Sequence, residues 1–229
     1  MMIRSILILT LLLGGQGIAP VLAAPAAKPK VRPRIRWQPP IPPNLGDPGG
    51  RGQGGGSRGD CEEYYEGASA VLPPSQWGLT TLEYPTVWLN LPKGIKAQVP
   101  VEFVLKDAQG KVLFKEIADA TQTPAGINPF PLPTRAPALQ VNQQYSWSIA
   151  IYCDAAVPDK PVVIRGAIGR SALSSLAKTR LAQSLDAIDR ATIYAEQGFW
   201  YDALTMLGME QRSSGEAAIV WEDLLKQAN

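Results

Sequence analysis

Residues 144–153 read QYSWSIAIYC, and this stretch decides the fold class. Apolar side chains recur at every second position, a period typical of a strand with one buried face. The positions that share this face are Tyr145, Trp147, Ile149, Ile151 and Cys153. The aromatic rings give the face a large apolar area, so we predict a core strand whose last buried residue is a cysteine.

A second alternating pattern predicts a β-hairpin. Two apolar runs flank the turn sequence DAQG at residues 107–110, as expected for paired strands. Their apolar positions are Val101, Phe103, Leu105, Val112 and Phe114.

Shorter strand candidates lie at residues 86–91, 128–132 and 161–168. Prolines in and just after the second candidate indicate an edge strand or an irregular segment. Five or six short strands with no helix between them predict an antiparallel, immunoglobulin-like β-sandwich. Trp88 and Trp147 are expected in its core.

The chain becomes helical after residue 169. Ser171 and Asp186 can each cap an amphipathic helix, Gly198 interrupts the pattern, and Gly215 precedes a last helix. The pattern predicts a mainly β protein with an α C-terminal tail.

Residues 191–204 resemble the helical hairpin of a single tetratricopeptide repeat, with small residues where helices cross. Only one such unit is visible and its closing proline is missing, whereas a solenoid needs about three repeats. The hairpin is therefore expected to pack on the sheet or to contact another chain.

The first segment, residues 1–23, has the features of a secretory signal peptide. Arg4 precedes an apolar stretch at residues 6–13, and small or short residues end at Ala23, after which we predict cleavage. An uncleaved anchor is the alternative, although glycines interrupt the apolar stretch well before the ~20 residues needed to span a bilayer. We predict an exported protein of the periplasm or the extracellular space.

Residues 24–60 are predicted to be a disordered linker, because they include eight Pro and eight Gly. Up to residue 59 this arm carries seven Lys or Arg against Asp47, although the whole chain has a net charge of only +2. It is expected to be a solvated tether or to contact anionic wall polymers or lipid head groups weakly. Export argues against nucleic acid as a partner. The predicted domains that follow are a β domain at residues 61–169 and a helical segment at 170–229.

Cys61 and Cys153 are the two cysteines of the chain. In an oxidising compartment they are expected to form a disulfide, because no His, neighbouring Lys or C-x-x-C spacing would activate either thiol. A bridge that closes a loop of about 90 residues stabilises a fold by about 4.5 kcal/mol in the chain-entropy model.

Histidine is absent, which excludes histidine-based catalytic triads and imidazole metal ligands. No metal or cofactor is predicted. Glu62, Glu63 and Glu66 leave open a hydrolase of envelope polysaccharide or peptidoglycan that uses paired carboxylates. A solvated acidic entry to the first strand explains these residues equally well.

The order of several short motifs resembles the domain of unknown function family numbered 928, known chiefly from cyanobacteria. The resemblance runs from Asp60 to the end of the chain. It is carried by Gly78-Leu79-Thr80, Glu83-Tyr84-Pro85-Thr86-Val87-Trp88, Leu91-Pro92, Tyr145-x-Trp147, Cys153 and Trp200-Tyr201-Asp202-Ala203-Leu204. It implies an exported envelope protein of cyanobacterial type and supplies no catalytic residues.

The leading hypothesis is a non-enzymatic adaptor that binds an unidentified envelope protein. Trp200 and Tyr201 are the candidate contact residues, because two adjacent large aromatics on a short helix are not expected to point inward together. The alternative places Trp200 in the core and leaves Tyr201 exposed.

Overall fold

A computed structural model of the protein describes residues 34–40, 64–153 and 161–228. These ranges contain strands followed by helices, which confirms a mainly β fold with an α C-terminal region. The strands are β1 (Ser69–Ala70), β2 (Trp77–Thr80), β3 (Thr86–Leu91), β4 (Pro100–Asp107), β5 (Val112–Asp119), β6 (Gly126–Pro131), β7 (Gln143–Ile151) and β8 (Val162–Arg170). The helices are α1 (Ser175–Gln183), α2 (Ala187–Glu196), α3 (Trp200–Glu210) and α4 (Gly215–Leu225).

The predicted hairpin is β4 and β5. They pair antiparallel at one end of a five-stranded sheet with the order β2-β8-β7-β4-β5. Asp107 fixes the turn, because its Oδ1 accepts hydrogen bonds from the backbone N–H groups of Gln109 and Lys111 at 3.0 and 2.9 Å. Gly110 supplies the positive φ of +80° that the turn requires.

The predicted core strand is β7, which pairs with β4 and β8. Its alternate positions are buried, as expected: Tyr145, Trp147, Ile149 and Ile151. The expectation that Cys153 shares this buried face is wrong. Ile151 pairs with Val101 and Val162 near the first residues of the neighbouring strands, so the sheet ends there and Cys153 is exposed beyond it.

One pair of neighbours in the five-stranded sheet is parallel, which corrects the prediction of a wholly antiparallel arrangement. Trp77 lies opposite Ala167 and Thr80 opposite Arg170, with β2 and β8 running in the same direction. Parallel strands need a long connection, and the chain between these two strands is long because it builds β3 to β7 first.

A second sheet has three strands in the order β1-β3-β6. The prolines of β6 lie in an edge strand, which is one of the two predicted alternatives. Val87, Leu89 and Leu91 of β3 alternate with Trp88, and all four side chains are buried. The indole of Trp88 meets that of Trp221 in α4, with ring centroids 5.1 Å apart, so the helices pack on this sheet.

The helices begin close to the predicted positions, with one correction. Asp186 caps α2 as predicted, and Ser214 caps α4. Ser171 does not cap α1, because its N–H donates to the carbonyl of Thr80 and extends the β2–β8 pairing; Ser174 caps the helix instead. No helix in the described ranges has the length and apolar composition needed to cross a bilayer.

Ala177 and Leu181 of α1 pack with Ile193 of α2 in a small separate cluster. A larger hydrophobic cluster joins both sheets to α2, α3 and α4. It contains Leu89 of β3, Trp147 of β7 and Leu204 of α3. For α2, α3 and α4 the change from strands to helices near residue 170 is therefore not a boundary between separate cores. The same cluster includes Ile35, which lies far upstream of the first strand.

Candidate functional site

Residues 34–40, with the sequence RIRWQPP, lie against the helices without regular secondary structure. Ile35 is 1% exposed and Trp37 is partly buried, whereas Arg34, Arg36 and Gln38 face solvent. For these seven residues the prediction of a disordered linker over 24–60 is wrong. An extended chain with apolar residues at alternate positions presents one apolar face, and that face can be buried.

The side-chain amide of Gln227 holds the backbone of this segment. Its Oε1 accepts a hydrogen bond from the N–H of Trp37 at 2.9 Å, and its Nε2 donates to the carbonyl of Ile35 at 2.9 Å. Nε2 also donates to the carbonyl of Asp223 at 2.9 Å, which fixes the amide against α4. Because both bonds to the segment go to main-chain atoms, this contact does not depend on the identity of the bound side chains.

Trp37 packs on Trp200, the first residue of α3. The two indoles meet edge to face, with centroids 5.1 Å apart and planes at 79°, a preferred geometry for aromatic pairs. The Nε1 of Trp37 is buried and has no hydrogen-bond partner among the described residues.

The segment continues to the turn between α2 and α3. The N–H of Gln38 donates to the carbonyl of Ala195 at 3.1 Å. Pro40 lies against Gly198, where a Cβ would come within 2.8 Å of the proline Cδ. Gly198 also has a φ of +81°, a backbone conformation that favours glycine. Both the close approach of Pro40 and the backbone conformation therefore require glycine at this position.

These contacts define a site that we call the helical groove: Ala195, Gly198, Trp200, Asp223 and Gln227. Its one carboxylate, Asp223, lies 3.8 Å from Nε of Arg34 and 3.7 Å from Nζ of Lys226. Arg34 is largely exposed, so the ion pair is worth little in stability. The helical groove therefore binds main-chain atoms through Gln227, packs an aromatic side chain on Trp200 and has a weak preference for a basic residue at Asp223.

The two predicted contact residues are both buried, at 0% exposure for Trp200 and 1% for Tyr201. The prediction that they form an exposed contact is therefore wrong, and so is the alternative that leaves Tyr201 exposed. The indole N–H of Trp200 donates to the carbonyl of Val71 at 3.0 Å. Trp200 nevertheless touches the 34–40 segment, which covers it.

Tyr201 reaches in the opposite direction, into the five-stranded sheet. Its hydroxyl donates to the carbonyl of Ala167 at 2.9 Å and accepts from Nε1 of Trp147 at 3.2 Å. Burial raises the pKa of this phenol well above its usual value. Both aromatics point inward because α3 is enclosed on more than one side.

Asp202 is a buried carboxylate beside these rings, 4% exposed. It accepts hydrogen bonds from the N–H of Thr81 at 3.1 and 3.2 Å and from the hydroxyl of Thr81. Desolvation by burial raises the pKa of Asp202 in spite of these bonds. The bonds to Thr81 join α3 to the end of β2, so Asp202 ties the helices to the sheet.

Of the three carboxylates of the hydrolase hypothesis, the described residues include only Glu66. Glu66 is exposed, and Glu62 and Glu63 lie outside the described residues. In the described ranges no three His, Cys, Asp or Glu side chains are grouped as a metal site requires. Cys61 and the cleavage position at Ala23 also lie outside these ranges, so the disulfide and the processing site stay predictions.

Sequence reasoning missed the groove. The signal it could have used is the alternation of Ile35 and Trp37 with polar residues inside a proline-rich stretch. Gln227 carries no sequence signal, because a lone glutamine near a chain end has no pattern that indicates a clamp.

The chain belongs to the family described as Domain of Unknown Function (DUF928), which it matches over residues 53–229. This confirms the resemblance found in its motifs. The groove therefore combines helices from the family domain with a bound segment that precedes it.

No curated protein matches the chain. Two solved structures of Parabacteroides merdae β-glucuronidase are similar to part of it, each at 12% identity. The one with glycerol in its active site has a TM-score of 0.27, covering 51% of this chain and 20% of that chain. The other has a TM-score of 0.26, covering 58% and 24%. The chain thus spans about a quarter or less of their length, and at these scores the likeness supports no statement about fold or function.

Proposed function

We propose that the protein is an exported, non-enzymatic interaction module of the cell envelope, and that its helical groove binds extended peptide segments. The observation that carries this proposal is the paired hydrogen bond of Gln227 to the main chain of Ile35 and Trp37. Because Gln227 bonds only to main-chain atoms of the segment, the groove can hold any extended segment whose side chains pack against Trp200.

The β region serves as an immunoglobulin-like scaffold, and α2 and α3 act as a single tetratricopeptide-like hairpin. In this arrangement the chain's own residues 34–40 occupy the groove, and an envelope protein with a similar segment competes for it. The remaining basic arm gives weak attraction to anionic wall polymers or lipid head groups.

Peptide binding can be tested by emptying the groove. The variant I35D/W37A of the mature protein removes both apolar contacts of the bound segment. A fluorescent peptide of residues 33–41 should bind this variant and should bind the wild type far more weakly, as read by fluorescence polarisation. Adding Gln227→Ala to the variant should weaken binding about tenfold, because two hydrogen bonds are lost.

A matched control is the same peptide with alanine in place of Trp37, which should not bind. Circular dichroism must confirm that the variants are folded. If the folded, emptied groove does not take up the wild-type peptide, the proposed function fails.

Export is tested separately by fractionating native cells and sequencing the N-terminus of the protein. The expected result is an envelope or extracellular protein that begins at Ala24. Recovery of cytoplasmic protein that keeps residues 1–23 would contradict export.

The alternative of a carboxylate hydrolase has its own test. If the wild type digests wall polymer and E62Q/E63Q/E66Q does not, the protein is a hydrolase and the proposal of a non-enzymatic module is wrong.

A further inference from the structure

The outer face of the five-stranded sheet carries a cavity of about 440 Å³. Ser146 and Ser148 of β7 line it, and they alternate with Trp147 and Ile149, which belong to the core. The cavity therefore opens on the side of the sheet that faces away from the core. We call it the outer trough, defined by Gln76, Lys106, Ser146, Ser148, Arg165 and Ala167.

The strand register places the two cations of the outer trough on either side of the serines. Lys106 of β4 lies opposite Ser146, and Ser148 lies opposite Arg165 of β8. Because neighbouring strands are about 4.8 Å apart and each residue rises about 3.3 Å, the backbones that carry the cations are two strand spacings apart across the sheet and two residues apart along it. Both side chains are long enough to converge over the serine hydroxyls between them.

No described residue balances the charge of these two cations. Among the described residues neither Lys106 nor Arg165 has an ion pair or a side-chain hydrogen bond, and the lining of the trough includes no Asp or Glu. Other basic residues of the same sheet are paired. Lys115 lies 3.0 Å from Glu102, and Arg170 forms a 3.3 Å ion pair with Glu83. The trough is thus a site of uncompensated positive charge on a sheet where these other cations are neutralised.

The serine hydroxyls of the trough are also without partners among the described residues. The side-chain hydroxyls of Ser146 and Ser148 form no hydrogen bond with any described residue. Trp77, 5% exposed, lies beside Gly169 on this face, and its Nε1 has no partner in the described ranges. The same holds for Oε1 of Gln144, two residues before Ser146. Trp77 and Gln144 do not line the cavity, so the hydroxyls that are open to a ligand in the trough are those of Ser146 and Ser148.

We propose that the outer trough binds a hydroxyl-rich ligand with one oxyanion group, such as an acidic sugar or a sugar phosphate. Lys106 and Arg165 contact the oxyanion, because charge-assisted bonds to carboxylate or phosphate are the strongest that these side chains make. Ser146 and Ser148 hydrogen-bond to the hydroxyl groups of the ligand. The volume lies within the range of small-molecule sites. The proposal does not depend on the helical groove.

Isothermal titration calorimetry of the mature full-length protein tests it with three probes: D-galacturonate, glucose 6-phosphate and neutral glucose. At least one acidic probe should bind, and glucose should bind at least about tenfold more weakly. Binding of galacturonate alone would identify a carboxylate ligand, and binding of glucose 6-phosphate alone a phosphate ligand; both support the proposal.

The variants Lys106→Gln and Arg165→Gln should each weaken binding of that acidic probe by about tenfold or more, because each removes a charged contact. The matched control is Lys115→Gln, which removes a cation of the same sheet that is already paired with Glu102 and should leave binding unchanged. None of the three residues is buried, and thermal unfolding verifies that the variants fold.

The proposal is overturned if glucose binds as tightly as the acidic probes or if no probe binds at about 10 mM. It is also overturned if Lys115→Gln weakens binding as much as Arg165→Gln does, since the attraction would then belong to the general charge of the surface.

Discussion

The indole of Trp37 stands edge-on to the indole of Trp200, with 5.1 Å between the ring centroids. Trp37 lies upstream of the family domain, which begins at residue 53, whereas Trp200 is one of the most deeply buried residues of that domain. Part of the core of the domain is therefore closed by a segment from outside it.

Trp37→Ala should destabilise the protein. Removing a buried Trp side chain typically costs about 3–5 kcal/mol, and Trp37 is only partly buried, so we expect a loss of about 2 kcal/mol in the free energy of unfolding. The measurement is the urea midpoint of the mature protein. Arg36→Ala, which alters an exposed neighbour, should stay within about 0.5 kcal/mol of the wild type. Equal losses in both variants would mean that the indole contact contributes nothing.

Gly208→Ala should also be destabilising, although alanine is the better helix former. A Cβ at Gly208 would overlap the ring of Trp88, which is held by a 3.2 Å hydrogen bond to Thr205 and by contact with Trp221. Overpacking of this kind costs about 1–3 kcal/mol.

Gly215→Ala is the matched control in α4, because a Cβ there meets no atom within 4 Å. It should leave stability unchanged or raise it by up to about 1 kcal/mol, as helix propensity predicts. Chemical denaturation gives the free energy of unfolding of both variants. A Gly208→Ala variant as stable as the wild type would contradict the close packing of α3 on Trp88.

Asp202 should make stability depend on pH. Burial raises its pKa in the folded protein, so the folded state binds the proton more tightly than the unfolded chain, whose Asp titrates near a pKa of about 3.9. Stability should therefore fall as pH rises from about 3.9 through the raised pKa, and the loss is complete above it. Each tenfold difference in acid dissociation constant corresponds to about 1.4 kcal/mol.

Asp202→Asn should remove this dependence of stability on pH, because the side-chain amide does not titrate. Its oxygen can still accept a hydrogen bond from Thr81. The test is to measure the free energies of unfolding of the wild type and of D202N at about pH 4 and pH 7. Relative to the wild type, D202N should be more stable at pH 7 than it is at pH 4. A difference that stays constant between the two pH values would show that Asp202 does not titrate in this range.

The mature protein should contain no titratable thiol. If Cys61 and Cys153 are bridged, reduction should add two hydrogens to the mass, and C61S/C153S should lose up to about 4.5 kcal/mol of stability. Intact mass spectrometry with and without reductant, followed by denaturation of the variant, provides the measurement. Two reactive thiols in protein isolated from the envelope would refute the bridge.

Local patterns predicted the strands well. The range 86–91 is β3, and the hairpin at 101–114 corresponds to β4 and β5. These elements were accessible because an alternation of apolar and polar residues is a property of neighbouring positions. β1 and β2 escaped prediction because two and four residues are too short to establish a period.

The helical groove and the outer trough could not be predicted from local sequence patterns. The helical groove joins Gln227 to Trp37, 190 positions apart, and the outer trough joins residues of β4, β7 and β8 with a turn before β2. Neither set has a spacing that sequence alone could recognise. The expectation about Trp200 and Tyr201 failed because it assumed that a helix has one covered side.

The sequence by itself determined the mainly β fold, the helical C-terminal region and the family, because periodicity, capping residues and motif order are local features of the chain. Only the tertiary structure decided the parallel pairing of β2 with β8, the burial of both aromatics of α3 and the docking of residues 34–40. Side chains about 100° apart on a helix can both be buried when packing partners surround it. Those partners come from distant parts of the chain, so their arrangement is fixed by the folded core as a whole.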